Sequence, residues 1–271
     1  MEFSKLHGLG NDFILVDGFG RSVPEASALA ARLCPRRFGV GADGLIVARP
    51  SDVADARMDY YNSDGSPAEM CGNGIRCLGK FLYDKGICRR NPMTVETGAG
   101  VRTLWLAVEG DEVRQVTVDM GAPRFAPEEI PVTAADHRIE LELDGRRLRF
   151  FCASMGNPHA VTFDLYPDDE TFRRLGPMVE KHPCFPRGAN VEFCRADGAG
   201  GAEVKVWERG DGPTLACGTG ACAVLAAGAT LGILPREADI RLPGGALRIR
   251  WGEDGHLYMT GPAEKVFEGA V

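Results

Sequence analysis

The sequence lacks the features that mark several large classes of protein. It contains no run of about 20 apolar residues, which a membrane-spanning helix requires, and residues 1–5 show no basic segment leading into an apolar one. Positive charge is also in the minority, since the formal net charge is -7 at pH 7. Nucleic acid and anionic membranes are therefore not expected as partners, and we expect a cytoplasmic protein without a signal peptide.

No Cys-x-x-Cys sequence occurs, although the chain has 9 cysteines. This absence excludes a thioredoxin motif and a zinc ribbon. The odd number of cysteines and the length of 271 residues argue against a disulfide framework. There is also no signature of a PLP-binding lysine or of a metal cluster, so neither a cofactor nor a metal is expected.

The chain is organised around two short stretches that look like copies of each other. Each places a cysteine, Cys71 or Cys217, directly before a Gly-x-Gly sequence that opens a helical run. We predict these helices over residues 75–83 and 218–231, the second uncharged and therefore buried on every side. Both cysteines thus lie at a helix N-terminus, where unpaired N–H groups favour a thiolate and lower the pKa of the thiol.

Two such thiols, one in each half, suggest a single chemistry. One removes a proton from one face of a carbon atom, and the other returns a proton to the opposite face. The simpler alternative is that both are core cysteines, since free cysteine is among the most buried residue types. Repetition of the whole local pattern favours the functional interpretation.

Other landmarks recur in the same order at spacings of 146 or 147 residues. Such regular recurrence over half the chain indicates an internal repeat. The repeated pairs are Asn11 with Asn157, Phe38 with Phe185, Asp43 with Asn190, residues 58–62 with 204–208, Cys71 with Cys217, and residues 95–100 with 241–246.

The repeat predicts an α+β class with two similar domains. Each would be a mixed β-sheet or barrel around a central buried helix, with the active site in the cleft between the domains. We place the domains at residues 1–120, joined by 262–271, and at 121–261, because Gly121, Pro123 and Pro127 interrupt the strands there. Besides the central helices, we predict helices at 24–33 and 168–179 and strands at 13–16, 45–48, 58–62, 94–96, 101–108, 113–119, 138–143, 147–154, 160–163, 191–194, 204–208, 239–242, 246–251 and 256–260.

Many of the repeated positions are polar or glycine and lie at strand ends and loops, where sites usually occur. An asparagine after glycine is often only a turn residue, and Glu208 with Arg209 resembles an ordinary surface ion pair. Together, however, these groups suit a zwitterionic amino acid, whose carboxylate would meet the helix N–H groups. The candidate binding residues are Asn11, Asn62, Gly72, Asn73, Asn157, Asn190, Glu208, Arg209, Gly218 and Thr219.

Four signatures resemble, in the same order, those of the diaminopimelate epimerase family. They are residues 7–13 (HGLGNDF), 70–77 (MCGNGIRC), 154–159 (SMGNPH), and 207–210 (WERG) with 216–222 (ACGTGAC). The resemblance extends over nearly the whole chain, from residue 1 to about residue 261.

This resemblance implies a PLP-independent enzyme that interconverts LL- and meso-2,6-diaminopimelate, a small-molecule substrate, and a homodimer. Cys71 and Cys217 would be the acid/base pair, with Cys217 accepting the proton of the LL substrate. His159 and Glu208 match positions that tune the cysteines, and the candidate binding residues match substrate-binding positions. Some relatives have Gln where this chain has Gly44, so we assign no substrate contact to this position.

Several alternatives remain open at this point. A related two-cysteine racemase would act on proline, hydroxyproline or histidine. Racemases of the proline type tend to carry His where this chain has Asn73, which argues against them. A histidine racemase is harder to exclude, although Arg209 suits a distal carboxylate. A thiol redox protein would use a reversible disulfide between Cys71 and Cys217. A non-catalytic amino-acid-binding protein would not need two thiols.

Overall fold

The structure is a computed structural model that describes residues 1–23 and 25–271. The described residues form two compact units, Met1–Asp119 with Thr260–Val271, and Met120–Met259. The helices are α1 (Ala26–Leu33), α2 (Gly72–Asp84), α3 (Asp169–Glu180) and α4 (Gly218–Thr230). The strands are β1 (Glu2–Gly8), β2 (Asn11–Asp17), β3 (Gly44–Arg49), β4 (Ala56–Asn62), β5 (Pro67–Ala68), β6 (Met93–Thr97), β7 (Gly100–Glu109), β8 (Glu112–Gly121), β9 (Arg138–Leu143), β10 (Arg146–Ser154), β11 (Pro158–Thr162), β12 (Asn190–Ala196), β13 (Ala202–Glu208), β14 (Gly212–Pro213), β15 (Glu237–Leu242), β16 (Gly245–Trp251), β17 (Leu257–Pro262) and β18 (Glu264–Ala270).

In the first unit, mixed strands surround the central helix α2. β1 and β2 are antiparallel, β2 runs parallel to β3, and β3 pairs antiparallel with β4. β4 also pairs in parallel with β6, which forms a meander with β7 and β8. α2 is buried from Gly72 to Leu82, because strands on several sides cover it.

The second unit repeats this arrangement around α4. β10 and β11 are antiparallel, β11 runs parallel to β12, and β12 pairs antiparallel with β13. β13 also pairs in parallel with β15, which forms a hairpin with β16. A separate apolar cluster under α3 contains edge-to-face contacts of Phe193 with Phe150 and Phe172, a ring geometry that aromatic pairs prefer.

The predicted helices agree with these elements. α4 is buried at Gly218 and from Gly220 to Gly228, which confirms the expectation from its uncharged sequence. α3 begins one residue after the predicted start because the side chain of Asp168 caps it and accepts a hydrogen bond from the Thr171 N–H. α1 covers most of the predicted segment 24–33, of which Pro24 lies outside the described residues.

The strand register corrects one detail of the repeat. Phe13 pairs with Gly44 in the first unit, and His159 pairs with Asn190 in the second. Since Phe13 and His159 are 146 residues apart, the counterpart of Asn190 is Gly44, and the predicted match with Asp43 was wrong. Spacing alone could not reveal this, because the spacing changes by one residue within the loop that precedes the strand.

β1 and β18 have no counterpart among the predicted strands. They pair with each other along their whole length, from Glu2 with Ala270 to His7 with Glu264. This pairing joins residues more than 250 positions apart, so local sequence carries little signal for it. Among the described residues, no helix is both long and apolar enough to cross a membrane.

Candidate active site

Cys71 lies at the N-terminus of α2 in an extended conformation, directly before the first helical residue. Its Sγ donates to Asn11 Oδ1 at 3.5 Å, and Asn73 Nδ2 donates to the same oxygen at 3.1 Å. Asn11 comes from the start of β2, so strand and helix bring these three predicted residues together. The backbone N–H groups of Gly72 and Asn73 belong to the first turn, where a helix leaves such groups without intrahelical partners.

A fully buried cation, Arg76, supports this cluster from within α2. Its guanidinium donates to Asn73 Oδ1 at 3.0 Å, to the Gly72 carbonyl at 3.2 Å and to the Pro262 carbonyl at 3.2 Å. Gly8 leaves room for it, since a Cβ atom there would lie 2.8 Å from Arg76 Nη2. The orientation of Asn73 therefore depends on Arg76.

An ionic network holds Asn11 from the other side. Asn11 Nδ2 donates to Asp43 Oδ2 at 2.8 Å, and Arg36 bridges Asp43 and Asp12. The buried Lys5 completes the network, with its ammonium 2.7 Å from Asp12. Burial alone would raise the pKa of Asp12, but the hydrogen bonds and charges of Arg36 and Lys5 outweigh it and hold this pKa well below its usual range.

This network predicts a pH-dependent stability. We expect Asp12→Asn to lower the free energy of unfolding at pH 7 by about 1 to 2 kcal/mol, a modest value because Arg36 is exposed to solvent. The folded-state pKa of Asp12 is depressed, so its contribution is present above the unfolded pKa of about 3.9 and disappears as the pH falls through the folded value. The difference between variant and wild type should therefore shrink in acid.

Urea unfolding at pH 7 and at pH 3 measures this difference. Asp239→Asn is the matched control, because its partner Arg248 and Asp239 itself are both about half exposed, and such pairs contribute little. An Asp12→Asn variant as stable as the control at pH 7 would contradict the prediction.

Cys217 occupies the corresponding place at the start of α4 in the second unit. Its Sγ accepts from the Gly220 N–H at 3.4 Å and lies 3.5 Å from Thr219 Oγ1. Asn157 Nδ2 donates to the Thr219 hydroxyl at 3.3 Å. In both units an asparagine thus contacts the second residue after the cysteine: Asn11, at the start of β2, contacts Asn73, and Asn157, directly before β11, contacts Thr219.

His159 extends this second cluster into the interior of the unit. Its Nε2 lies 3.0 Å from Asn157 Oδ1, and its Nδ1 lies 2.7 Å from Glu192 Oε1. Both His159 and Glu192 are fully buried. Two strands that run in parallel, β11 and β12, supply the two side chains.

The surroundings of Cys217 correct the expectation that a helix N-terminus lowers its pKa. Burial raises the pKa of the Cys217 thiol well above its ordinary value, and the carboxylates of Glu208 and Glu192 raise it further. The hydrogen bonds from Thr219 and the Gly220 N–H act in the opposite direction but are outweighed. The sequence could not show this, because burial and neighbouring acids depend on the packing of α4.

Glu208, at the end of β13, is the other acid beside this thiol. It accepts from Thr214 Oγ1 at 2.5 Å. Burial raises the pKa of Glu208, although its hydrogen bonds with Thr214 and Cys217 partly oppose the effect. A carboxyl group with a raised pKa next to a thiol is suited to exchange a proton with it.

Three predicted binding residues, Asn62, Asn190 and Arg209, make hydrogen bonds with residues outside these clusters. Asn62 donates to Ser66 Oγ at 3.0 Å within the turn that leaves β4. Asn190 donates to the Pro158 carbonyl at 2.8 Å and accepts from the Arg209 N–H at 3.0 Å. The Arg209 side chain is exposed, and its Nη1 donates to the Arg187 carbonyl at 3.2 Å.

Arg76 and Glu192 are two buried residues of these clusters to which the sequence interpretation assigned no role. The same is true of Lys5, Asp12 and Arg36 in the network around Asn11. The internal repeat contained a signal for Glu192, because it interrupts the apolar run of β12 at the position that Ile46 occupies in β3. Among the described residues, no three side chains of His, Cys, Asp or Glu are grouped so that they would hold a metal ion.

Sequence comparison gives matches over the whole chain. The profile of the family described as Diaminopimelate epimerase matches residues 3–126 and 151–266. A diaminopimelate epimerase from Desulfitobacterium hafniense is 51% identical, covering 100% of this chain and 98% of that protein. Diaminopimelate epimerases from Acetivibrio thermocellus and Methanococcus maripaludis are 48% and 47% identical, covering 100% of this chain and 98% and 99% of theirs.

Structural comparison finds solved proteins of low sequence identity that share this fold. A probable proline racemase from Agrobacterium radiobacter aligns with a TM-score of 0.75 at 16% identity, covering 100% of this chain and 92% of that one. A hydroxyproline epimerase from Agrobacterium vitis aligns with a TM-score of 0.74 at 18% identity, covering 99% and 91%. The prediction of a two-domain α+β fold is confirmed by these alignments and by the two segments of the family match.

Proposed function

The chain belongs to the diaminopimelate epimerase family, and from this premise we propose that it interconverts LL- and meso-2,6-diaminopimelate without PLP. The observation that carries the proposal is the identity of 46 to 51% over the full chain with several relatives named for this activity. The presence of one cysteine at the start of each central helix supports a two-base mechanism.

In this mechanism Cys217 and Cys71 exchange roles with the direction of the reaction. The Cys217 thiolate takes the α-proton of the LL isomer, and the Cys71 thiol gives its proton to the opposite face of the same carbon. The product leaves Cys217 as a thiol and Cys71 as a thiolate, which is the starting state for the reverse reaction. The raised pKa of Cys217 makes its thiolate a stronger base, which helps because an amino-acid α-proton is only weakly acidic.

The negative charge that develops on the substrate needs electrostatic stabilisation. We assign this role to the backbone N–H groups of Gly72, Asn73, Gly218 and Thr219, at the N-termini of α2 and α4, acting on the α-carboxylate. Substrate orientation falls to the side chains of Asn11, Asn62, Asn157, Asn190 and Arg209. The exposed guanidinium of Arg209 suits the distal carboxylate, since arginine binds carboxylates through two parallel hydrogen bonds.

Glu208 is proposed to accept and return the proton of Cys217. We expect Glu208→Gln to lower kcat by about 10²-fold, the usual contribution of a positioned acid or base. The same change should move the titration of the Cys217 thiol to lower pH, because the Glu208 carboxylate contributes to its raised pKa. Steady-state kinetics and the Cβ resonance of [13C]cysteine-labelled protein, assigned with a Cys217→Ser variant, measure the two effects.

Glu203→Gln is the matched control for Glu208. Glu203 lies on the same strand, β13, and makes a surface ion pair with Arg195. The control should keep wild-type kinetics, whereas a Glu208→Gln enzyme within twofold of the wild-type kcat would exclude Glu208 from proton transfer.

Proton NMR in D2O tests the function itself. Reduced protein with LL-diaminopimelate and no added PLP should replace the α-proton by deuterium while the meso isomer accumulates. Exchange on histidine or proline instead would retain the two-thiol chemistry but change the substrate. A protein that exchanges no amino-acid α-proton and instead cycles a disulfide would be a redox protein, and the proposal would be wrong.

We further propose that the enzyme is a cytoplasmic homodimer and that its two domains correspond to residues 1–120 with 262–271 and residues 121–261. The family resemblance supports the dimer. Light scattering in solution measures the mass directly, and a monomer mass would contradict this part of the proposal.

A further inference from the structure

A buried acid that the proposed mechanism does not use lies in the second unit. Glu192 is fully buried in β12, and its Oε1 lies 2.7 Å from His159 Nδ1. Its other oxygen, Oε2, has no hydrogen-bond partner among the described residues. A buried carboxylate is costly unless its charge is compensated, so the presence of Glu192 between Val191 and Phe193 in the buried part of β12 needs an explanation.

The first unit shows that packing does not require this acid. The positions equivalent to His159 and Glu192, 146 residues earlier, are Phe13 and Ile46, both fully buried. The strand registers agree, since Phe13 pairs with Gly44 as His159 pairs with Asn190. The same fold therefore accepts an aromatic and an aliphatic side chain at these two positions.

Ile46 and Glu192 also face equivalent points of the central helices of their units, α2 and α4. A Cβ atom on Gly74 would lie 2.9 Å from Ile46 Cδ1, and a Cβ atom on Gly220 would lie 2.7 Å from Glu192 Oε1. Cys217 Sγ lies 3.3 Å from that same Gly220 position. Glu192 thus reaches the first turn of α4, close to the Cys217 thiol, because Gly220 has no side chain to fill the space between them.

Glu192 is connected to the reacting region through a continuous chain of polar contacts. His159 Nε2 lies 3.0 Å from Asn157 Oδ1, and Asn157 Nδ2 donates to the Thr219 hydroxyl at 3.3 Å. Both ring nitrogens of His159 face oxygen atoms, and a doubly protonated ring satisfies both. The Glu192 carboxylate also contributes to the raised pKa of the Cys152, Cys194 and Cys217 thiols.

We propose that Glu192 is a positioning residue, which fixes the protonation and orientation of His159 and through it the side chain of Asn157, whose partner Thr219 contacts the Cys217 thiol. This inference rests on the proposed function, because it assigns to Asn157 and Cys217 a role in binding and proton transfer. It makes the second unit chemically different from the first, although the two share one fold.

Glu192→Gln tests the proposal with little change in shape. We expect kcat to fall about 10- to 100-fold, as is typical when a hydrogen-bonded support of a functional side chain is removed, while KM changes less than threefold. Nitrogen-15 NMR of histidine-labelled protein, assigned with His159→Phe, should show that the Nδ1 proton of His159 is no longer fixed at pH 7.5. The Cys217 thiol should titrate at lower pH, since one of the acids beside it has been neutralised.

A double variant, His159→Phe with Glu192→Ile, copies the first unit into the second. It should fold with a melting temperature close to that of the wild type, because Phe13 and Ile46 pack in the same positions, yet it should be at least as inactive as Glu192→Gln. This variant also decides the question if Glu192→Gln alone fails to fold. Wild-type kcat in a folded double variant would overturn the proposal.

The readouts separate this inference from the proposed function. If the wild-type protein does not epimerise diaminopimelate, the histidine and cysteine resonances still report whether Glu192 controls His159 and Cys217. An unchanged His159 ring and an unchanged Cys217 titration in Glu192→Gln would overturn the positioning role, whatever the substrate. Altered His159 and Cys217 resonances together with a wild-type kcat in Glu192→Gln would overturn the contribution of Glu192 to turnover.

Discussion

Replacement of either Cys71 or Cys217 by serine is expected to lower kcat for epimerisation by about 10³-fold, within the usual range for loss of a general acid or base. Serine retains the size and hydrogen-bonding capacity of cysteine, but its hydroxyl is far less acidic than a thiol. Both variants should keep the melting temperature of the wild type within a few degrees. The effect should appear in kcat more than in KM, because the thiols act in the transition state.

Cys77→Ser and Cys222→Ser are matched controls for these substitutions. Both residues lie in the same helices as the candidate cysteines and are fully buried. They are expected to lose stability, since a buried hydroxyl needs a hydrogen-bond partner, but to retain kcat. A Cys71→Ser or Cys217→Ser enzyme that keeps more than a tenth of wild-type kcat would contradict the two-thiol mechanism.

Replacement of Arg76 by methionine should have the largest effect on stability, about 3 kcal/mol in the free energy of unfolding. Methionine fills similar space but leaves Asn73 Oδ1 and the carbonyls of Gly72 and Pro262 without this buried donor. Because Arg76 orients Asn73, and Asn73 shares the Asn11 oxygen with Cys71, kcat should fall as well. Urea unfolding and steady-state kinetics of the same preparation measure both effects.

Lys80→Met provides the comparison within α2. Lys80 is a buried cation one helical turn after Arg76, and its ammonium donates to the Val113 carbonyl at 2.8 Å and pairs with Asp84 at 2.6 Å. Its loss should also destabilise the first unit, but it lies away from Cys71 and should leave kcat unchanged. Equal losses of kcat in the two variants would mean that Arg76 acts only through stability.

The internal repeat supplies two similar scaffolds with opposite buried charges. Arg76 lies behind the first helix N-terminus, where the second unit has Cys222 at the equivalent position. Glu192 lies behind the second, where the first unit has Ile46. A buried cation favours an anion nearby and a buried carboxylate disfavours one, so the two cysteines occupy different electrostatic surroundings despite their similar backbones.

Much of the fold followed from local sequence patterns. The uncharged run of α4 predicted a buried helix that starts at Gly218, and α2, predicted from residue 75, begins three residues earlier at Gly72. These features are encoded locally, by hydrophobic periodicity and by residues that favour helix ends. The pairing of β1 with β18 had no such signal, because it depends on contacts between the two ends of the chain.

By itself, the sequence determined the repeat, the two helix-terminal cysteines, the family, and the pair of asparagines, Asn11 and Asn157, at equivalent positions of the two halves. Only the tertiary structure decided that Glu192 is buried against His159 and that the pKa of Cys217 is raised instead of lowered. The physical reason is that a thiol's pKa depends on everything packed around it. A helix N-terminus is visible in sequence, whereas burial and two neighbouring carboxylates arise only when β11, β12, β13 and α4 come together.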